Sequence, residues 1–153
     1  MREFAVTGGH LVVPGEEGRV RVVAGDLVIR DREIAAVLPA GEVPPGGPPE
    51  DVVDASGCAV LPGLVNAHCH AAMSLLRGYA DDMPLMRWLE DRIWPAEAHL
   101  LPEDVYWGTA LAALEMLRGG VTTFADMYFH TDQAARAVAD AGMRGVLSLG
   151  LIG

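Results

Sequence analysis

A strongly apolar segment ending in two histidines, Leu64-Val65-Asn66-Ala67-His68-Cys69-His70, divides this 153-residue chain into two regions of different rhythm. On a β-strand, residues at i and i+2 project from one face. The spacing therefore aims His68 and His70 the same way, with Asn66 on their face and Cys69 on the other. The segment has no clean polar face, which is how a strand buried on both sides of a parallel sheet reads.

Upstream, short apolar runs at 4–7, 10–13, 19–23, 26–30, 34–38 and 51–54 predict close-set strands in a small sandwich or meander. Gly8-Gly9, Pro14-Gly15 and the polar Asp31-Arg32-Glu33 separate them. Residues 39–50, rich in proline and glycine, predict a loop. Downstream, Leu85, Met86, Leu89 and Ile93 carry a helical spacing over 83–93. A longer helix is predicted from Pro102, with Glu103 and Asp104 in its first turn, Leu101 as a poor N-cap and Gly119-Gly120 as its stop. Residues 121–126 read as a strand. Thr131 or Asp132 then caps a helix ending at Gly142, and 144–149 read as a third strand. Strands alternating with helices imply βαβ units and a parallel sheet.

Composition removes several functions. A hydrophobic share of 51% excludes general disorder. The net charge is −10 and all 11 basic residues are arginines without a clustered run, which argues against a nucleic-acid surface. No apolar run approaches the roughly 20 residues of a membrane span, and the first residues lack a signal-peptide pattern. Cys58 and Cys69 read as small buried hydrophobes with reduced thiols, in a cytoplasmic protein.

A neutral imidazole is a good ligand for zinc and for iron. Two from one rigid strand make half of a metal site, although a bare His-x-His also occurs in strands that bind nothing. The wider pattern Pro62-Gly63-x-x-Asn66-x-His68-x-His70 resembles the first-strand signature of the amidohydrolase superfamily. In that family a (β/α)8 barrel holds one or two metal ions at the carboxyl ends of its strands. Asp54-Ala55-Ser56-Gly57 leading into Leu61-Pro62-Gly63 resembles the family's passage from a β-sandwich into the barrel. The finer match is to the S-adenosylhomocysteine/5′-methylthioadenosine deaminase branch. It runs through Arg77-Gly78-Tyr79-Ala80-Asp81-Asp82, Leu85-Met86-Arg87-Trp88-Leu89-Glu90, Trp94-Pro95-Ala96-Glu97 and Gly120-Val121-Thr122-Thr123-Phe124-Ala125-Asp126-Met127-Tyr128. Related chlorohydrolases and triazine aminohydrolases share much of it.

The resemblance implies an α/β fold in which a small β-sandwich domain, begun in residues 1–58, precedes the first three β/α units of a (β/α)8 TIM-like barrel in residues 59–153. The barrel is incomplete in this chain, since a whole one takes roughly 250 residues. His68 and His70 are implied ligands of one divalent metal, zinc first and iron as the alternative. Glu97 is the implied substrate-binding acid, and an ionised carboxylate can accept from two vicinal ribose hydroxyls at once. No catalytic residue is assigned, because the family's third His, His-x-x-Glu and final Asp belong to later strands. Leu149 stands near the position where some relatives carry a substrate-binding arginine.

The implied reaction is metal-assisted hydrolysis of a purine amino group with release of ammonia. This chain is then the N-terminal part of the enzyme, inactive alone. The expected partner is a small-molecule nucleoside, with no nucleic acid and no membrane, and with a homo-oligomer left open. Two alternatives stand beside this reading: the same scaffold acting on a triazine or guanine-type ring, and a non-catalytic fragment that needs a partner chain. Asp126 is expected to cap or orient a loop. Trp88, Trp94 and Trp107 are expected to pack, and His99 and His130 to lie at the surface.

Overall fold

The computed structural model describes residues 3–150 apart from positions 43, 45, 46 and 48. Part of the expected 39–50 loop and the Leu151-Ile152-Gly153 end lie outside the described residues. The described chain is α/β and divides into two units, residues 1–62 and 63–153. No helix among the described residues is long and apolar enough to cross a membrane.

The first unit is one sheet. β1 (Glu3–Pro14), β2 (Val20–Arg30) and β3 (Glu33–Pro39) form an antiparallel meander in the order β3-β2-β1. β4 (Asp51–Asp54) and β5 (Ala59–Val60) both add in parallel to β1. Gly8-Gly9 does not end a strand, as its composition suggested. β1 runs straight through it with a register shift between Val6 and Gly9. One extra residue is absorbed there as a bulge, which Gly8 allows at φ +75°. Asp26 makes the bulge stable. Its buried carboxylate accepts the Gly8 N–H at 2.8 Å and the Gly41 N–H at 2.9 Å. Likewise 19–23 and 26–30 are one strand, because β2 pairs with β1 along its whole length.

The second unit is a parallel sheet, order β6-β7-β8, built from β6 (Leu64–Cys69), β7 (Val121–Tyr128) and β8 (Arg144–Leu149). A 3₁₀ helix (Ala71–Leu76) follows β6. Then come α1 (Leu85–Trp88), a π-helical turn (Leu89–Ile93) and α2 (Trp94–Glu97). The helical path does not stop before Pro95. Proline lacks an N–H and its ring crowds the carbonyl four residues back. The chain widens to a π turn instead, in which the Trp94 N–H donates to the Leu89 carbonyl.

α3 (Pro102–Arg118) opens as expected on a leucine that cannot cap it. Asp104 supplies the missing contact by accepting the Leu101 N–H at 2.7 Å. α4 (Thr131–Ala141) starts at Thr131, with His130 and not Thr131 or Asp132 in the capping position. β7 continues to Tyr128, so Phe129 and His130 alone make the corner. His130 turns the chain at φ 51° and its carbonyl receives the Gln133 and Ala134 N–H groups.

Helices and the 3₁₀ segment cover one sheet face. Phe124 is fully buried there with Ala71, Ala113, Val138 and Met143, and Tyr128 packs with Ala72, Val105 and Ala134. Among the described residues of this unit, the other face has no second layer. β6 is therefore not buried on both sides: Leu64 is 54% and Val65 65% exposed, and Val146 of β8 is 68% exposed.

The 3₁₀ segment lies tight against α3. A Cβ on Gly108 would stand 2.5 Å from the Ala72 carbonyl oxygen and 3.0 Å from its Cα. The Ser74 hydroxyl donates to the Gly108 carbonyl at 2.7 Å. Gly108→Ala is expected to destabilise by roughly 1–3 kcal/mol through overpacking against backbone. That exceeds the gain in helix propensity of about 1 kcal/mol. A lower urea midpoint and faster amide exchange along α3 check it; an unchanged or raised midpoint contradicts it.

Candidate active site

The carboxyl end of β6 carries the two histidines side by side. Their ring centroids are 5.2 Å apart and the rings meet edge to face at 80°. His70 is held by its neighbour strand, with Nδ1 2.8 Å from the Met127 carbonyl oxygen. A carbonyl oxygen only accepts, so Nδ1 carries the proton and Nε2 keeps its lone pair for a ligand. A histidine tied this way has its ring orientation fixed, with Nε2 directed away from the strand contact.

Asn66 does not share their face. The β6–β7 register slips between Asn66 and Cys69, and two-residue alternation fails across such an irregularity. Asn66 lies instead with Nδ2 3.9 Å from the Met116 sulfur of α3, and its Oδ1 faces the His68 N–H at 3.3 Å. Cys69 packs toward the helices against the Phe124 cluster, as alternation required of it, with Sγ 3.4 Å from the Ala125 carbonyl. Burial, reinforced by the nearby Asp126 charge, pushes its thiol up to about 11.

Asp126 orients the chain leaving the pair. It is buried on β7 and accepts the Ala71 N–H at 2.8 Å, immediately after His70. Burial raises its carboxyl above the ordinary value, against the opposing pull of the Ala71 N–H.

Glu97 closes α2 and faces the same cavity as His70, a space of about 330 Å³ that Trp88, Leu89, Trp94 and Met127 also line. Trp88 and Trp94, expected only to pack, thus form walls of the cavity, while Trp107 on α3 does not line it. Trp88 is fixed there by donation from its indole N–H to the Ala80 carbonyl at 3.0 Å. Glu97 Oε1 accepts the Tyr128 hydroxyl at 2.7 Å. Burial first, then the Glu97 carboxylate, raise the Tyr128 phenol well above its ordinary value, so it remains a donor. The sequence pattern alone assigns Tyr128 no role in the site. Its signal was the alternation Phe124, Asp126, Tyr128, which places all three on the buried side of β7.

Two neutral imidazoles, one with its tautomer set, fit half of a zinc or iron site. Among the described residues no group of three or more His, Cys, Asp or Glu side chains could hold a metal ion.

Residues 59–153, well over half of the chain, match the model of the amidohydrolase family. The chain belongs to the amidohydrolase family. It is similar to the 5-methylthioadenosine/S-adenosylhomocysteine deaminase of Pelotomaculum thermopropionicum, 52% identical over 143 residues, covering 94% of this chain and 33% of that protein. The deaminase of the same description from Moorella thermoacetica is 57% identical over 129 residues, covering 84% of this chain and 30% of its own length. Among solved amidohydrolase-like structures, an adenosine deaminase from Xanthomonas campestris with bound zinc superposes with a TM-score of 0.85 at 39% identity, over 95% of this chain and 33% of that one. This amidohydrolase chain therefore spans about a third of the length of the curated relatives it matches.

Proposed function

We propose that these residues belong to a metal-dependent hydrolytic deaminase of adenosine-type nucleosides, with S-adenosylhomocysteine and 5′-methylthioadenosine as substrates. The observation that carries this reading is the placing of His70 and Glu97 on one cavity: a ligand imidazole faces the same space as a carboxylate suited to ribose hydroxyls. The identity of about 50% to deaminases of that description supports the substrate class. Residues 59–153 are the first three β/α units of a (β/α)8 barrel, and residues 1–58 begin a β-sandwich. The activity belongs to the full-length protein.

His68 and His70 hold a divalent metal, zinc first, in keeping with the imidazole donors and the zinc-bound relative. When bound, the metal supplies Lewis acidity that lowers the pKa of water toward neutrality. The chain's own residues do the rest of what this portion contributes. The Met127 carbonyl keeps the His70 proton on Nδ1. Asp126 fixes the turn after His70. Glu97 accepts from the ribose hydroxyls, and Trp88, Leu89 and Trp94 exclude water from the nucleoside. The acidic balance and two free thiols suit a small-molecule enzyme of a reducing cytoplasm.

The full-length protein, loaded with zinc, is expected to release ammonia from both nucleosides. Release from neither, with metal present, refutes the substrate assignment. Preference for a triazine or guanine ring moves the enzyme to another branch of the family.

A further inference from the structure

Three consecutive residues at the end of β7 reach three different parts of the site. Asp126 takes the Ala71 N–H, the Met127 carbonyl takes the His70 proton, and the Tyr128 hydroxyl donates to Glu97. The third contact is the one that a fold alone does not require. Glu97 sits at the end of a helix of four residues, and its long side chain has several rotamers available. Tyr128 is the reverse: buried, on a strand, packed among Ala72, Val105 and Ala134 and stacked on Phe129 at 4.1 Å between centroids. A donor held by packing therefore meets an acceptor whose side chain has more rotamers to lose.

We propose that Tyr128 is the positioning residue for Glu97, and that it sets the preference for a ribose carrying both vicinal hydroxyls. By occupying one lone pair of Oε1 it fixes the carboxylate plane. Oε2 has no partner among the described residues and, with the second lone pair of Oε1, is left for the substrate. A carboxylate fixed in one plane accepts from two neighbouring hydroxyls at once; one free to rotate meets them singly. The proposal rests on the reading of Glu97 as the ribose contact.

Tyr128→Phe removes the hydroxyl and keeps the packed ring. In the full-length zinc enzyme, kcat and KM are measured for 5′-methylthioadenosine and its 2′-deoxy analogue. Tyr128→Phe is expected to raise KM for the first roughly tenfold, to leave kcat within about twofold, and to change the 2′-deoxy analogue little, so that discrimination between the two collapses. In a Glu97→Ala background the same change is expected to add nothing, since the two residues act as one unit. If Glu97→Ala removes discrimination and Tyr128→Phe does not, Tyr128 only packs and the proposal is overturned. A fall in kcat shared equally by both substrates, with a lower unfolding midpoint, overturns it in the same way. Should Glu97→Ala itself keep the discrimination, the ribose reading fails, and the proposal with it.

Discussion

The full-length protein carrying His70→Ala is expected to lose its metal and to deaminate roughly a thousandfold more slowly or worse. The reason lies in how unequal the neighbours of this position are. His70 combines three properties: its ring stands 5.2 Å from that of His68, its Nδ1 is engaged by the Met127 carbonyl, and it lines the cavity that Glu97 also lines. Loss of an outer partner of a metal-bound histidine typically costs 10–100-fold in affinity; loss of the ligand itself must cost more. Cys69, one residue away, is the internal control. Its sulfur lies among the helix-facing core residues, so Cys69→Ala is expected to keep full metal content with a modest loss of stability of about 1 kcal/mol. Metal per chain, measured by emission spectrometry, separates the two variants without reference to turnover. Full metal retention by His70→Ala, or loss by Cys69→Ala, would show that the pair is not the ligand set.

The contrast between His70 and Cys69 also marks what could be read from the residues alone. Alternation along a strand is a local property, and it placed both histidines and the cysteine correctly. It failed at Asn66, because the slip between Asn66 and Cys69 is a property of pairing with β7 and not of β6 itself. Gly8-Gly9 failed for the same reason: two glycines end a strand or bulge it depending on a partner, and Asp26 decides the matter from another strand. The helix–strand rhythm after residue 58 was legible because Pro102 with its first-turn acids opens α3, and Gly119 and Gly142 stop α3 and α4. The continuation through Pro95 was not, since a π turn answers a steric conflict that no periodicity encodes. The Tyr128–Glu97 contact spans 31 residues, with Glu97 on the helix that follows that turn, so it had to be found in three dimensions.

That contact leads to the other large effect. Glu97→Ala is expected to lower kcat/KM for 5′-methylthioadenosine by about 100-fold, the loss expected from removing two charge-assisted hydrogen bonds. Most of it should appear in KM, because the ribose hydroxyls carry the same charge in the ground state and the transition state, and uniform binding acts on KM. Glu97→Gln keeps one carbonyl acceptor and should fall between, at roughly tenfold. Neither variant should lose metal, since Glu97 is engaged by Tyr128 and forms no metal-holding group with His68 and His70 among the described residues. His70→Ala and Glu97→Ala thus fail differently: the first loses metal and turnover together, while the second keeps its metal, keeps most of its kcat and releases the nucleoside. A Glu97→Ala enzyme with unaltered KM for the ribonucleoside would place the ribose elsewhere. The carboxylate would then be a structural acceptor whose purpose is to satisfy the buried phenol of Tyr128.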